Sequence, residues 1–250
     1  MSYILNPLYG SGIYRRRIAL RNQPGVVVAE LEDCYHAFRV QLSHDGARVT
    51  AVEAETIRYP RTICVGAPDV LRRFAGDPLS DNRRAIRERQ TPGEHCTHLY
   101  DLAWLAMAQA LRGTAERIYD VEVPDPRDGS NEGIVFRDGV EILRWQLRDA
   151  DVTAPAAIAG NKLNENFGRW ASAIYEGEEL EAAYVLQIGC FVAGTRRLDV
   201  NAMGGRWNDP GRVKVGTCYA HQPERRHEGV TTMGMARDFT DTPEQLLQFL

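Results

Sequence analysis

Ala37-Phe38-Arg39-Val40-Gln41-Leu42-Ser43 is followed by His44-Asp45-Gly46, and soon by Arg48-Val49-Thr50-Ala51-Val52-Glu53-Ala54-Glu55-Thr56-Ile57. Both runs alternate apolar with polar residues, the period of a strand with one buried and one wet face. Ser43-His44-Asp45-Gly46 between them is a hairpin signal. Working back from this hairpin, Gly25 to Leu31 is β-branched and apolar, and Ile13 to Arg21 alternates behind Gly10-Ser11-Gly12. The pattern predicts an antiparallel meander that Pro60 closes.

The period then changes. Ala67 to Phe74 reads as a helix with Pro68 in its first turn and Gly76 as its stop. A second helix is predicted over Leu79 to Gln90, and the strongest over Thr97 to Arg112, ended by Gly113. Beyond it, Arg117 to Val123 and Ile134 to Leu147 read as strands, the latter broken at Arg137-Asp138-Gly139. Leu163 to Tyr175 and Glu179 to Val192 read as helices. The fold class expected is α+β: an antiparallel β-meander with packed helices over residues 1–114, and a C-terminal α+β extension over 115–250 that covers a substrate.

With 250 residues, 44% hydrophobic and 26% charged, the composition is that of an ordinary globular chain. A formal net charge of −4 gives no basic field for nucleic acid. The arginine runs, Arg15-Arg16-Arg17 among them, read as solvated faces. No stretch approaches the ~20 apolar residues of a membrane span, and Met1 to Pro7 does not read as a secretory signal. Five cysteines, an odd number at irregular spacing, point to reduced thiols in the cytoplasm. A homo-oligomer is compatible with all of this.

The chemistry-bearing residues fall at element boundaries. Cys34 and His36 open a strand, Cys64 follows the meander, and His95, Cys96 and His98 stand at the start of the long helix. Thiolate is both nucleophile and metal ligand, and a helix N-terminus favours it. Zinc and iron take sulfur and imidazole donors. The simpler reading of a lone cysteine is a small buried hydrophobe. Cys190, inside the apolar run Leu186-Gln-Ile-Gly-Cys-Phe-Val, takes that reading, while Cys218 has no assignment.

Three segments carry a resemblance: Asp33-Cys34-Tyr35-His36-Ala37-Phe38, Arg58-Tyr-Pro-Arg-Thr-Ile-Cys64-Val-Gly-Ala-Pro68, and Glu94-His-Cys-Thr-His-Leu-Tyr-Asp-Leu-Ala103. They resemble a bacterial family known as domain of unknown function 2889, over roughly residues 13–113. The same stretch is distantly similar to the NifU-like iron–sulfur scaffold fold. That fold has a three-stranded meander, one cysteine near its start, a second after it, and a third opening a late helix. Cys34, Cys64 and Cys96 stand at corresponding places, although the scaffold's Cys-Gly-Asp is Cys34-Tyr35-His36 here. The resemblance implies a shared ligand frame, in which His36, Cys64 and Cys96 hold the metal with His98 or a water as the fourth ligand.

The function expected is a metal-dependent enzyme, with one zinc or iron ion and no organic cofactor. It would act on a small apolar or aromatic molecule by a lyase reaction, hydrolysis coming second. His98 would be catalytic, with Asp101 orienting an imidazole from one turn along the helix and Lys162 a base or cation near the substrate. Trp145, Trp170 and Tyr184 can line an apolar pocket, although aromatic core is the simpler reading. A non-enzymatic iron–sulfur or metal-handling protein, or a binding module with a structural metal or none, are the alternatives. No Gly-x-Gly-x-x-Gly, P-loop, Gly-x-Ser-x-Gly or His-Glu-x-x-His is present.

Overall fold

The computed structural model describes residues 4–206 and 213–249. Its centre is an eight-stranded sheet in the order β4-β3-β2-β1-β5-β6-β7-β8. The strands are β1 (Ile13–Gln23), β2 (Val26–Asp33), β3 (Ala37–His44), β4 (Val49–Arg58), β5 (Glu116–Pro124), β6 (Ser130–Arg137), β7 (Val140–Arg148) and β8 (Asp151–Ala154). Every neighbouring pair is antiparallel. The fold is therefore α+β, as the alternation predicts, but its meander has four strands rather than the three of the scaffold fold. The sheet also runs through both halves of the chain, because β5 pairs with β1.

The helices are α1 (Ala67–Leu71), α2 (Arg83–Arg87), α3 (Thr97–Arg112), α4 (Phe167–Ile174) and α5 (Gly177–Ala193). The long helix α3 has the predicted bounds. Leu99, Leu102, Ala103, Leu105 and Ala106 are buried, and Gly113 caps the end with φ 73°, its N–H bonded to Gln109 O at 3.0 Å. Helix α3 packs on β1 to β4, and α5 packs on β1 and β5 to β7, so the two cover one face of the sheet. The opposite face carries ion pairs: Arg17 with Asp120, and Arg39 with both Glu30 and Glu55.

Three predicted helices are shorter than expected: α1 stops at Leu71, where Arg72–Phe74 tightens into a 3₁₀ turn, and two others start late for a local reason. Asn82 Oδ1 accepts from the backbone N–H groups of Arg84 and Ala85, so α2 starts after Asn82 rather than at Leu79. Asn166 has φ 52°, outside helical space, and delays α4 to Phe167. Strand β8, only four residues long, was not predicted. Among the described residues no helix is long and apolar enough to cross a membrane.

Candidate functional site

Strand register creates the first cluster. Arg16 of β1 stands opposite Asp33 at the end of β2, on the face covered by the helices. Asp33 then shapes the turn into β3. Its Oδ1 accepts from the backbone N–H groups of Tyr35 (2.7 Å) and His36 (2.9 Å), an Asx-type turn. Arg58 holds the same turn from the far side, donating to Cys34 O, Asp33 O and Met235 O and pairing with Glu32. His36 is fixed by backbone geometry as much as by its own contacts.

The side chains close a hydrogen-bonded network. Asp33 Oδ2 accepts from Tyr14 Oη at 2.7 Å and from Arg16 Nη2 at 2.6 Å, while His36 Nδ1 lies 3.0 Å from Oδ1. Arg16 Nη2 also stands 3.0 Å from His98 Nε2, which α3 presents from its first turn. A guanidinium can only donate, so His98 Nε2 is the acceptor and its ring proton sits on Nδ1. The rings of His36 and His98 stack at 4.0 Å between centroids.

Electrostatics follow from this wiring. Burial alone would raise Asp33, but His36 and then Arg16 hold its carboxyl well below the usual range, so it is ionised. Burial, then His36, then Arg16 hold His98 well below its ordinary value, so it is neutral. Asp33 and Arg16 are almost fully buried, at 0% and 2% exposure. Such a pair is costly to break from one side.

A narrow cavity of about 10 Å³, room for about one water molecule, runs from Arg16 and His98 between α3 and α5. Its walls are apolar, with Ile18, Leu31, Leu102 and Val185 among them. Outside it lies an open groove of about 1420 Å³ that contains Arg83, Arg87, Arg112 and Glu178. Trp104 and Tyr184 line both spaces. Arg83 closes the partition between them, paired with Asp101 at 2.7 Å and stacked 4.6 Å from the Tyr184 ring centroid.

The structure sorts the residues proposed from the sequence into separate places. His36 and His98 come together. Cys64 and Cys96 do not join them, and lie instead beside Cys218. Asp101 pairs with Arg83 and not with an imidazole. Lys162 lies on the surface, 3.3 Å from Glu165. Cys34 Sγ faces Arg196 Nη1 at 3.9 Å, and burial pushes its thiol up to about 11. Trp145 is fully buried among Phe167, Trp170 and Tyr175, while Tyr184 lines the groove.

Asp33 and Arg16 were missing from the predicted site. The signal for Arg16 was present, because Tyr14, Arg16 and Ile18 alternate on one face, which makes the middle member of the arginine run an inward residue. For Asp33 it was the Asp-x-x-His spacing at a strand end.

Among the described residues, Asp33, His36 and His98 are also the one group of three whose donor atoms lie within 4.8 Å of one another. Two imidazoles and a carboxylate are a donor set for zinc or iron. Their lone pairs, however, are largely engaged: those of Asp33 by Tyr14, Arg16 and the turn, and Nε2 of His98 by Arg16. An ion would have to displace the guanidinium.

No curated protein sequence matches this chain. Residues 19–112, which run from within β1 to the end of α3, match the model of the family described as Protein of unknown function (DUF2889), and so carry Asp33, His36, Cys64, Cys96, His98 and Asp101 inside the family region.

Proposed function

We propose that the chain is an enzyme whose acid–base centre is the Asp33–His36 pair, with neutral His98 and Arg16 beside it. The observation that carries this reading is the hydrogen-bond pattern at His36. Its Nδ1 is committed to Asp33, while its Nε2 bonds to no described residue. An imidazole oriented by a buried carboxylate with its other nitrogen free is the working half of a general-base relay.

Proton abstraction of a lyase type suits this arrangement better than acyl transfer. Among the described residues no serine, cysteine or lysine is hydrogen-bonded to either imidazole, so no nucleophile is activated there. The apolar cavity favours a small apolar or aromatic substrate, and the groove arginines favour one that carries a carboxylate. Entry requires the Arg83–Asp101 partition to move, because the cavity beside His98 holds no more than a water molecule.

The 4.8 Å trio supports a second reading, in which a divalent ion replaces the Arg16 contacts and serves as Lewis acid. One experiment separates the two. Small aromatic carboxylic acids bearing an acidic C–H bond are incubated with the chain in D₂O, with and without chelator. Solvent deuterium entering product with chelator present, and a fall of about 10²–10⁴-fold in His36→Ala, support the acid–base centre. Turnover that needs added metal selects the Lewis acid, and turnover unchanged in both His36→Ala and His98→Ala overturns both readings.

A further inference from the structure

Five arginines line the open groove: Arg83, Arg84 and Arg87 on α2, Arg112 at the end of α3, and Arg169 on α4. They are not equivalent. Arg84 is 90% exposed, and Arg87 and Arg169 are exposed too, so water and salt screen an ion pair to any of them. Arg112 is largely buried, but its three nitrogens are engaged: Nε with Glu178 at 2.7 Å, Nη1 with Gln109 at 2.6 Å and Nη2 with Glu181 at 2.8 Å. Arg83 alone is held in place with donors to spare.

The Arg83 side chain is 13% exposed. Its guanidinium lies 4.6 Å from the ring centroid of Tyr184, 5.4 Å from that of Tyr100 and 5.7 Å from that of Trp104. Such a setting suits a planar, weakly hydrated cation. Asp101 fixes it from one side only, Oδ1 accepting from Nε at 3.2 Å and from Nη2 at 2.7 Å. A guanidinium has five N–H donors. Two go to Asp101, and Nη1 bonds to no described residue. Arg83 lines the groove while Asp101 lines the cavity, so the guanidinium is the face that the partition turns to the groove.

Beyond Arg83 the floor is apolar. Trp104, Ala108 and Leu111 stand at i, i+4 and i+7 on one stripe of α3, and all three line the groove. From Trp104 to Leu111 is about 10 Å at 1.5 Å per residue. Leu111 is 49% exposed, and Leu180 of α5 lines the same space. The groove's own carboxylates leave Arg83 alone. Glu178 and Glu181 pair with Arg112, and neither Asp81 nor Glu88 pairs with Arg83.

We propose that Arg83 is the carboxylate anchor of the groove, and that its ligand is a monocarboxylate with an apolar body about 10 Å long. The carboxylate pairs with Nη1 and the remaining Nη2 hydrogen of Arg83, a charge-assisted fork. The body covers the stripe from Ala108 to Leu111. One anchored arginine takes one carboxylate, which is why the ligand carries a single charge. Asp101 is a positioning residue that holds the fork open towards the groove. Binding exchanges no proton and no bond. The inference rests on the acid–base reading in one respect: the carboxylate end, and not the apolar end, is brought to the partition that separates the groove from His98.

Calorimetric titration of 3-phenylpropionate and of its uncharged amide into the full chain tests the anchor, because the two differ only at the group that meets Arg83. The acid is expected to bind at one site per chain, and the amide about 10–100-fold more weakly. Arg83→Gln loses the same factor for the acid and leaves the amide unchanged, which a general loss of fold would not do. Arg87→Ala changes acid binding by less than about fivefold. Asp101→Asn removes the negative charge facing the ligand and keeps an acceptor for Arg83, so it binds the acid at least as tightly as wild type. Equal binding of acid and amide, no binding of the acid to the wild-type chain, full affinity in Arg83→Gln, or weakened binding in Asp101→Asn would each overturn the anchor. No turnover enters these measurements, so a failure here leaves the reading of His36 standing, and a failure of that reading leaves the anchor.

Discussion

The two buried clusters start at neighbouring positions, Cys96 and His98 at the head of α3, yet they solve the problem of burial in opposite ways. Around His98 the polar groups answer one another: Arg16 faces Asp33, Asp33 is saturated by Tyr14, the turn and His36, and His98 accepts from Arg16. Around Cys96 the balance differs: burial holds the Cys64 thiol up at about 12, and buried Arg61 pairs with no carboxylate among the described residues, donating instead to the carbonyls of Arg226 and Gly229. A saturated network needs nothing further to be stable, and in it His36 Nε2 bonds to no described residue. An unsaturated one bears the cost of its unpaired donors.

The saturated side is the easier to break. Asp33→Ala leaves Arg16 buried and unpaired and unties the turn that positions His36. A loss of about 3–5 kcal/mol is expected, read as the shift in denaturant midpoint, together with loss of turnover. A loss below about 1 kcal/mol, the scale of an exposed pair, would show that the network is not closed.

Acid sharpens the contrast further. Asp33 is held below its ordinary 3.8, so it contributes stability above about pH 3.8 that is lost as pH falls towards its folded value. The stability gap between wild type and Asp33→Asn should therefore narrow between about pH 5 and 3. A gap that is constant or widens over this range would mean that Asp33 is not held ionised. At the small end, Lys162→Ala should change stability by less than about 0.5 kcal/mol and leave turnover alone, as an exposed pair allows. A tenfold loss of turnover would return Lys162 to the site.

Much of this was legible in the chain. Alternation gave the strands from Ile13 to Arg58 nearly to the residue, and apolar spacing with Gly113 gave α3. His36 and His98 were recognisable because each stands at an element boundary. The losses were of two kinds. Local caps overrode periodicity at Asn82 and Asn166, shortening two helices. Partners distant in sequence were invisible: Arg16, hidden in an arginine run whose outer members are partly exposed, meets His98 only across the fold. Asp101 looked one turn from His98, but the pull of Arg83 across the groove turns it away. Spacing along one helix shows which residues can meet, and only the packing of other elements decides which do.

The cluster of Asp33, His36, His98 and Arg16 is closed by its own hydrogen bonds, which occupy the lone pairs an ion would need. Calorimetric titration of zinc into the metal-free full chain and into His36→Ala tests this most directly. Zinc binding that His36→Ala leaves unchanged is the predicted result. Zinc binding that His36→Ala abolishes would place the ion at Asp33, His36 and His98 and contradict the acid–base centre.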